Sequence, residues 1–126
     1  QWEEVDGLPA SEGRFFNRLR QNRFTTDQYV AMNRALARLV QQGNGPARDT
    51  MLALNERLLM GSHFYHVMKD PDLAQEMRRA LVLSVERYDP EHPQGFAGFA
   101  LWLLNKVFIR LMTKASRKEQ QMKDYQ

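Results

Sequence analysis

The sequence predicts an all-α fold, a single-domain bundle of about five helices. Three observations carry this. Apolar residues return repeatedly at helical spacing; β-branched residues are scarce and never alternate with polar ones over the length of a strand; candidate segments are bounded by capping residues or Pro/Gly breaks. With 126 residues, 43% of them hydrophobic, the chain is sized for one core, and no linker or repeat divides it. The domain is expected to cover 1–126, with 1–10 and 116–126 as flexible ends.

The elements follow in order. "ASEGRFFNRLRQNR" reads as a first helix capped by Ser11, with Phe15, Phe16 and Leu19 facing inward. "TTDQ" is a capping box, in which Thr25 and Gln28 exchange side-chain and backbone hydrogen bonds. The second helix it starts carries Tyr29, Met32, Leu36, Leu39 and Val40 on one stripe and stops at "GNGP". Pro46 suits the first turn of a third helix, because its missing N–H has no helical partner there anyway. That helix is expected to run through Met51, Leu54, Leu58 and Leu59 towards Tyr65, with Gly61 a weak point inside it. "KDPD" marks a stop and restart, with Asp70 as cap and Pro71 opening a fourth helix that ends near Tyr88. "DPEHPQG" is a loop. The last helix begins near Gln94 or Phe96 and reaches at least Lys114, and the polar stretch after it is expected to fray.

Composition excludes several chemistries. The chain has no cysteine, which removes disulfides, thiolate metal sites and a Cys nucleophile and fits a reducing cytosol, so a cytoplasmic protein is expected. The opening "QWEEVDGLPASEG" lacks the basic and apolar regions of a signal peptide. The run from Phe96 to Leu104 is uninterruptedly apolar or small but far short of the roughly 20 residues a bilayer-spanning helix requires, so no membrane span is expected.

Carboxylates fall at caps and on polar faces, which gives no reason to expect a catalytic pair with shifted pKa values. His63 and His66, at i, i+3, share a helix face, but a third metal ligand would have to be His92 or a distant acid. No metal and no cofactor is expected; the two histidines read as interface or hydrogen-bonded side chains. "GNGP" lacks the Lys and the flanking strand of a phosphate-binding loop. Arg57 and His63, in "RLLMGSH", resemble the Arg-x5-His signature of HEPN ribonucleases, which are themselves small helical domains. That resemblance implies an RNA-cleaving pair at Arg57 and His63.

Charge is placed unevenly although the net value is only +3. Residues 1–13 carry acids and no cation. Arg14, Arg18, Arg20 and Arg23 follow with no acid between them, and Lys106, Arg110, Lys114, Arg117 and Lys118 form a second acid-free basic segment. On a helix, Lys106, Arg110 and Lys114 make one cationic edge about three turns long. Phe99, Trp102, Leu103, Val107 and Leu111 are left to the other side. Such an edge fits phosphates, an acidic protein or a lipid surface, and phosphate contacts alone carry no sequence information.

"FTTDQY" (Phe24 to Tyr29), "SHFYHVMKD" (Ser62 to Asp70) and "GFAGFALWLLNKVFIRLMTK" (Gly95 to Lys114) fall in an order and at separations similar to those of the small all-α subunits of type III CRISPR effector complexes. The resemblance implies a non-catalytic subunit of an antiviral ribonucleoprotein, with basic residues along the backbone of a guide RNA–target duplex. Three readings therefore stand beside each other. The first is a non-enzymatic subunit binding an RNA or RNA–DNA backbone among other protein subunits. The second is a helical protein–protein interaction module, such as an adaptor, chaperone, immunity or anti-defence protein, with Trp2, Trp102, Tyr65 or the seven methionines as anchors. The third is a HEPN-like ribonuclease.

Overall fold

The computed structural model describes residues 24–124. The expected first helix, with Arg14, Arg18, Arg20 and Arg23, lies outside these residues, as does Trp2. Among the described residues the chain forms five α-helices and no strand. They are α1 (Thr26–Gln41), α2 (Gly45–Asn55), α3 (Tyr65–Lys69), α4 (Pro71–Arg87) and α5 (Phe96–Asp124).

Both halves of the capping box at α1 form: the Gln28 N–H donates to Thr25 Oγ1 at 3.1 Å, and the Thr25 N–H donates to Gln28 Oε1 at 2.9 Å. At the other end, the Gly43 N–H donates to the Val40 carbonyl and the Asn44 N–H to the Leu39 carbonyl. This pair is a Schellman motif. It needs a left-handed residue, and Gly43 supplies it with φ +84°. Asn44 then caps α2 by accepting from the Ala47 N–H at 2.9 Å. So few residues separate the two helices that they pack as an antiparallel hairpin. Inside it Asn33 and Asn55 are fully buried and exchange side-chain hydrogen bonds, with Asn55 also donating to the Met51 carbonyl at 2.8 Å.

The helix expected to continue from Met51 to Tyr65 does not. It ends at Asn55, tightens into a 3₁₀ turn over Glu56–Leu59, passes through an extended Gly61 and makes a second 3₁₀ turn over Ser62–Phe64. The break swings Leu58, Leu59 and Phe64 together into the core, which one straight helix does not achieve. Asp70 then caps α4, accepting from the Asp72 and Leu73 N–H groups, with Pro71 at the first position.

The helix α4 buries Ala74, Met77, Ala80, Leu81, Ser84 and Val85, and α5 packs chiefly against it. Between them the 88–95 loop is pinned to α1. The Arg34 guanidinium donates to the carbonyls of Pro90 and His92 at 2.8 Å and of Pro93 at 3.3 Å. The Tyr88 ring is completely buried, and its hydroxyl donates to the Gln94 carbonyl at 2.7 Å. Burial pushes this phenol above its ordinary pKa, and the nearby Arg34 charge only partly offsets that.

The helix α5 buries Phe96, Ala100, Leu104 and Leu111, and it continues as helix through the polar stretch to Asp124. By length and composition alone it is sufficient to cross a bilayer, which the nine-residue apolar run by itself does not suggest. Its buried positions nevertheless face α4 and α1, and Lys106 and Arg110 interrupt the outer face.

Candidate nucleic-acid interface

All five cations of the second basic segment are exposed on α5. Lys106, Arg110 and Lys114 rise about 6 Å and turn about 40° per step, so the row winds slowly round the helix. Arg117 sits between the bearings of Lys106 and Arg110, about two to three turns further on. No acid occurs between residues 92 and 118, and none of the five cations is in an ion pair with a described residue. Other arginines are engaged elsewhere. Arg34 holds the 88–95 loop, Arg38 pairs with Glu91, Arg48 with Glu86, and Arg79 with Glu76.

The basic edge borders a feature that periodicity places differently. Spacing groups Trp102 with the core-facing residues, yet it is 54% exposed. Leu101, Ile109 and Met112 are exposed beside it, giving α5 an apolar outer strip alongside its cations. The reason is geometric. Phe96, Ala100, Leu104 and Leu111 already fill the inward face, and Trp102 lies well over a right angle round from it. The Lys106 ammonium rests over the indole at 4.1 Å, and the Phe99 ring stacks obliquely with it at 6.4 Å between centroids. A second cation–aromatic pair of the same spacing, Lys69 over Tyr65, sits on α3.

Arg57 and His63 line different depressions. The Arg57 guanidinium stacks over Tyr29 at 3.8 Å, in a depression shared with Thr26, Val30 and Phe96. His63 lies in a different hollow, formed with Phe64, Leu101 and Trp102, where its Nε2 is 2.9 Å from Asn105 Oδ1. The ring of His66 meets Tyr65 instead. Among the described residues no three His, Asp or Glu side chains gather as a metal site would require. Sequence singles out neither Asn105 nor its pairing with His63. The two are 42 residues apart, and nothing local announces the hydrogen bond.

The chain is similar to the RNA polymerase sigma factor RpoS of Coxiella burnetii, with 31% identity over 85 residues. The match covers 65% of this chain and 24% of the sigma factor, so the chain spans about a quarter of that relative's length. No family model matches the chain, and no solved structure does. None of these comparisons points to a CRISPR effector subunit.

Proposed function

We propose that this chain is a non-catalytic, sigma-factor-like helical module that binds nucleic acid along the outer side of α5 and works beside an RNA polymerase. The observation that carries the reading is the acid-free row of unpaired cations bordering an exposed tryptophan. Lys106, Arg110, Lys114 and Arg117 offer phosphate contacts along one edge. Trp102 offers an aromatic face on which a base stacks without regard to its identity. Lys106 links the two. When it leaves the indole for a phosphate, it uncovers the ring face on which a base then rests.

Similarity to a sigma factor favours a transcription setting over the effector-ribonucleoprotein setting implied by the CRISPR resemblance. Both settings share the backbone contacts. Separate surroundings for Arg57 and His63 support binding without cleavage.

The test is a titration of the protein with labelled oligonucleotides of unrelated sequence across a salt series. Affinity should fall steeply with salt. The double change Arg110→Gln, Lys114→Gln should flatten the log–log slope by about two, one for each phosphate no longer neutralised. In parallel, core RNA polymerase is offered as a partner in co-purification. An unchanged slope in the double variant removes the α5 edge from the interface. Salt-tolerant binding to one protein, with no oligonucleotide retained, supports the protein-interaction module instead.

A further inference from the structure

We propose that the outward face of α5 settles on an anionic bilayer surface, lying in its plane rather than crossing it, with Trp102 as the anchor. This goes beyond the nucleic-acid reading and does not rest on it, because it assigns exposed apolar residues that phosphate contacts leave uncovered. Leu101, Trp102, Ile109 and Met112 fall within one arc of about 100° round the helix, and all four are exposed. The buried Ala100, Leu104 and Leu111 point to the far side. Beyond the Trp102–Ile109 edge of the arc come Lys106, Arg117 and Arg110, in that order round the helix. Between Leu101 and Met112 the arc holds one polar residue, Asn105, whose Oδ1 lies 2.9 Å from His63 Nε2.

Charge and hydrophobicity together choose the occupant. No acid occurs between residues 92 and 118, so a second copy of this face brings no counter-charge to the cations, whereas anionic headgroups do. Nucleic acid meets the same cations but leaves Leu101, Ile109 and Met112 in water; acyl chains take all three out of it. The apolar window of α5 is long enough to cross a bilayer, yet only 22% of it is buried inside the molecule, and α4 and α1 hold its inner face. A helix held on one side by its own core, with apolar residues and cations on the other, lies in the interface. Trp102 suits that depth. Its half-exposed ring carries the Lys106 ammonium at 4.1 Å, an apolar body with a charged cap that reaches the headgroups. The apolar surface continues across Gly61, which lines both the hollow beside Trp102 and the one holding the exposed Met60 and Tyr65. The charged groups of that second hollow, Glu56 and Arg78, cancel. Tyr65 repeats the device, with Lys69 over its ring at 4.3 Å.

The experiment sediments the full chain with vesicles of phosphatidylcholine alone and of an equal mixture of phosphatidylcholine and phosphatidylglycerol. Trp2→Phe leaves Trp102 as the lone tryptophan, and its emission is read in parallel. The protein should sediment with the anionic vesicles only, with Trp102 emission moving to shorter wavelength. Ile109→Ser with Met112→Ser should weaken that binding by about tenfold. The oligonucleotide salt slope should stay as it is, since neither side chain meets a phosphate. Arg110→Gln with Arg117→Gln should weaken vesicle binding by about fivefold for each cation. All four positions are exposed, so the helical circular dichroism of both variants should match the unmodified protein. Absence of sedimentation and of the wavelength shift with anionic vesicles overturns the proposal. So does equal binding to neutral vesicles, or binding that the Ile109→Ser, Met112→Ser pair leaves unchanged. A dimer that this pair dissolves, without vesicle binding, gives the face to a second copy instead. Loss of co-purification with core RNA polymerase in the same pair, again without vesicle binding, gives it to a protein. The nucleic-acid reading stands or falls separately, by its own salt slope.

Discussion

Two of the joints at which the chain turns are built in opposite ways. At 88–95, the joint between α4 and α5, exposed backbone carbonyls are collected by polar donors reaching over from α1: Arg34 takes three, and Gln41 reaches those of Glu86 and Tyr88. At 56–64, between α2 and α3, no such clamp is present among the described residues. That joint is held by burying Leu58, Leu59 and Phe64, with the Phe64 ring against Phe108 at 5.5 Å. One bend is fastened by hydrogen bonds at the surface and the other by apolar side chains within the core. Removing a fastener should therefore have different size and character in each.

The largest effect is expected at the apolar joint. Phe64→Ala empties a fully buried aromatic site and should lower stability by about 3–5 kcal/mol, measured by urea denaturation. A loss below about 1 kcal/mol would mean that the bend does not depend on this ring. Next comes Arg34→Ala, which strips a charged donor from three carbonyls. About 2–3 kcal/mol should go, together with faster limited proteolysis within 89–95. If cleavage there is no faster, the clamp is not what holds the loop.

Tyr88→Phe removes only the hydroxyl bond to Gln94, at about 1 kcal/mol near neutral pH. It also supplies a pH test. The Tyr88 phenol is raised above its usual 10 by burial, so its contribution is fully present below pH 10 and is lost as pH climbs through the folded-state value. The unmodified protein should therefore lose stability across that alkaline window more steeply than Tyr88→Phe does. Parallel alkaline unfolding curves would count against this origin. The smallest effect belongs to Glu91→Gln. Its pair with Arg38 is exposed on both sides, and its loss should change stability by less than about 0.5 kcal/mol at moderate salt.

The same contrast explains what sequence reveals. The polar joint is legible because Pro90, Pro93 and Gly95 break any helix, although its clamp, Arg34, is invisible at a separation of more than fifty residues. The apolar joint is hidden because Leu54, Leu58 and Leu59 keep helical spacing straight through it, with only Gly61 to betray the turn. The helices α1, α4 and the start of α5 are all readable from caps and stripes. In the candidate interface, the cationic row is evident from i, i+4 spacing. The outward placement of Trp102 is not, because periodicity alone does not say which apolar residues win the limited inward arc. The Asn105–His63 hydrogen bond depends on how the 56–64 bend meets α5, so no local signal carries it.

The buried amide pair between α1 and α2 has a consequence for how this sequence can drift over generations. Losing either Asn33 or Asn55 alone strands the other carboxamide in a dry interior, whereas replacing both with aliphatic residues of similar volume leaves nothing unpaired. Each residue is thus a heavy burden on the descendant that keeps only one of them. Lineages should carry both amides or neither, and these two positions, 22 apart in the chain, are inherited as a single unit.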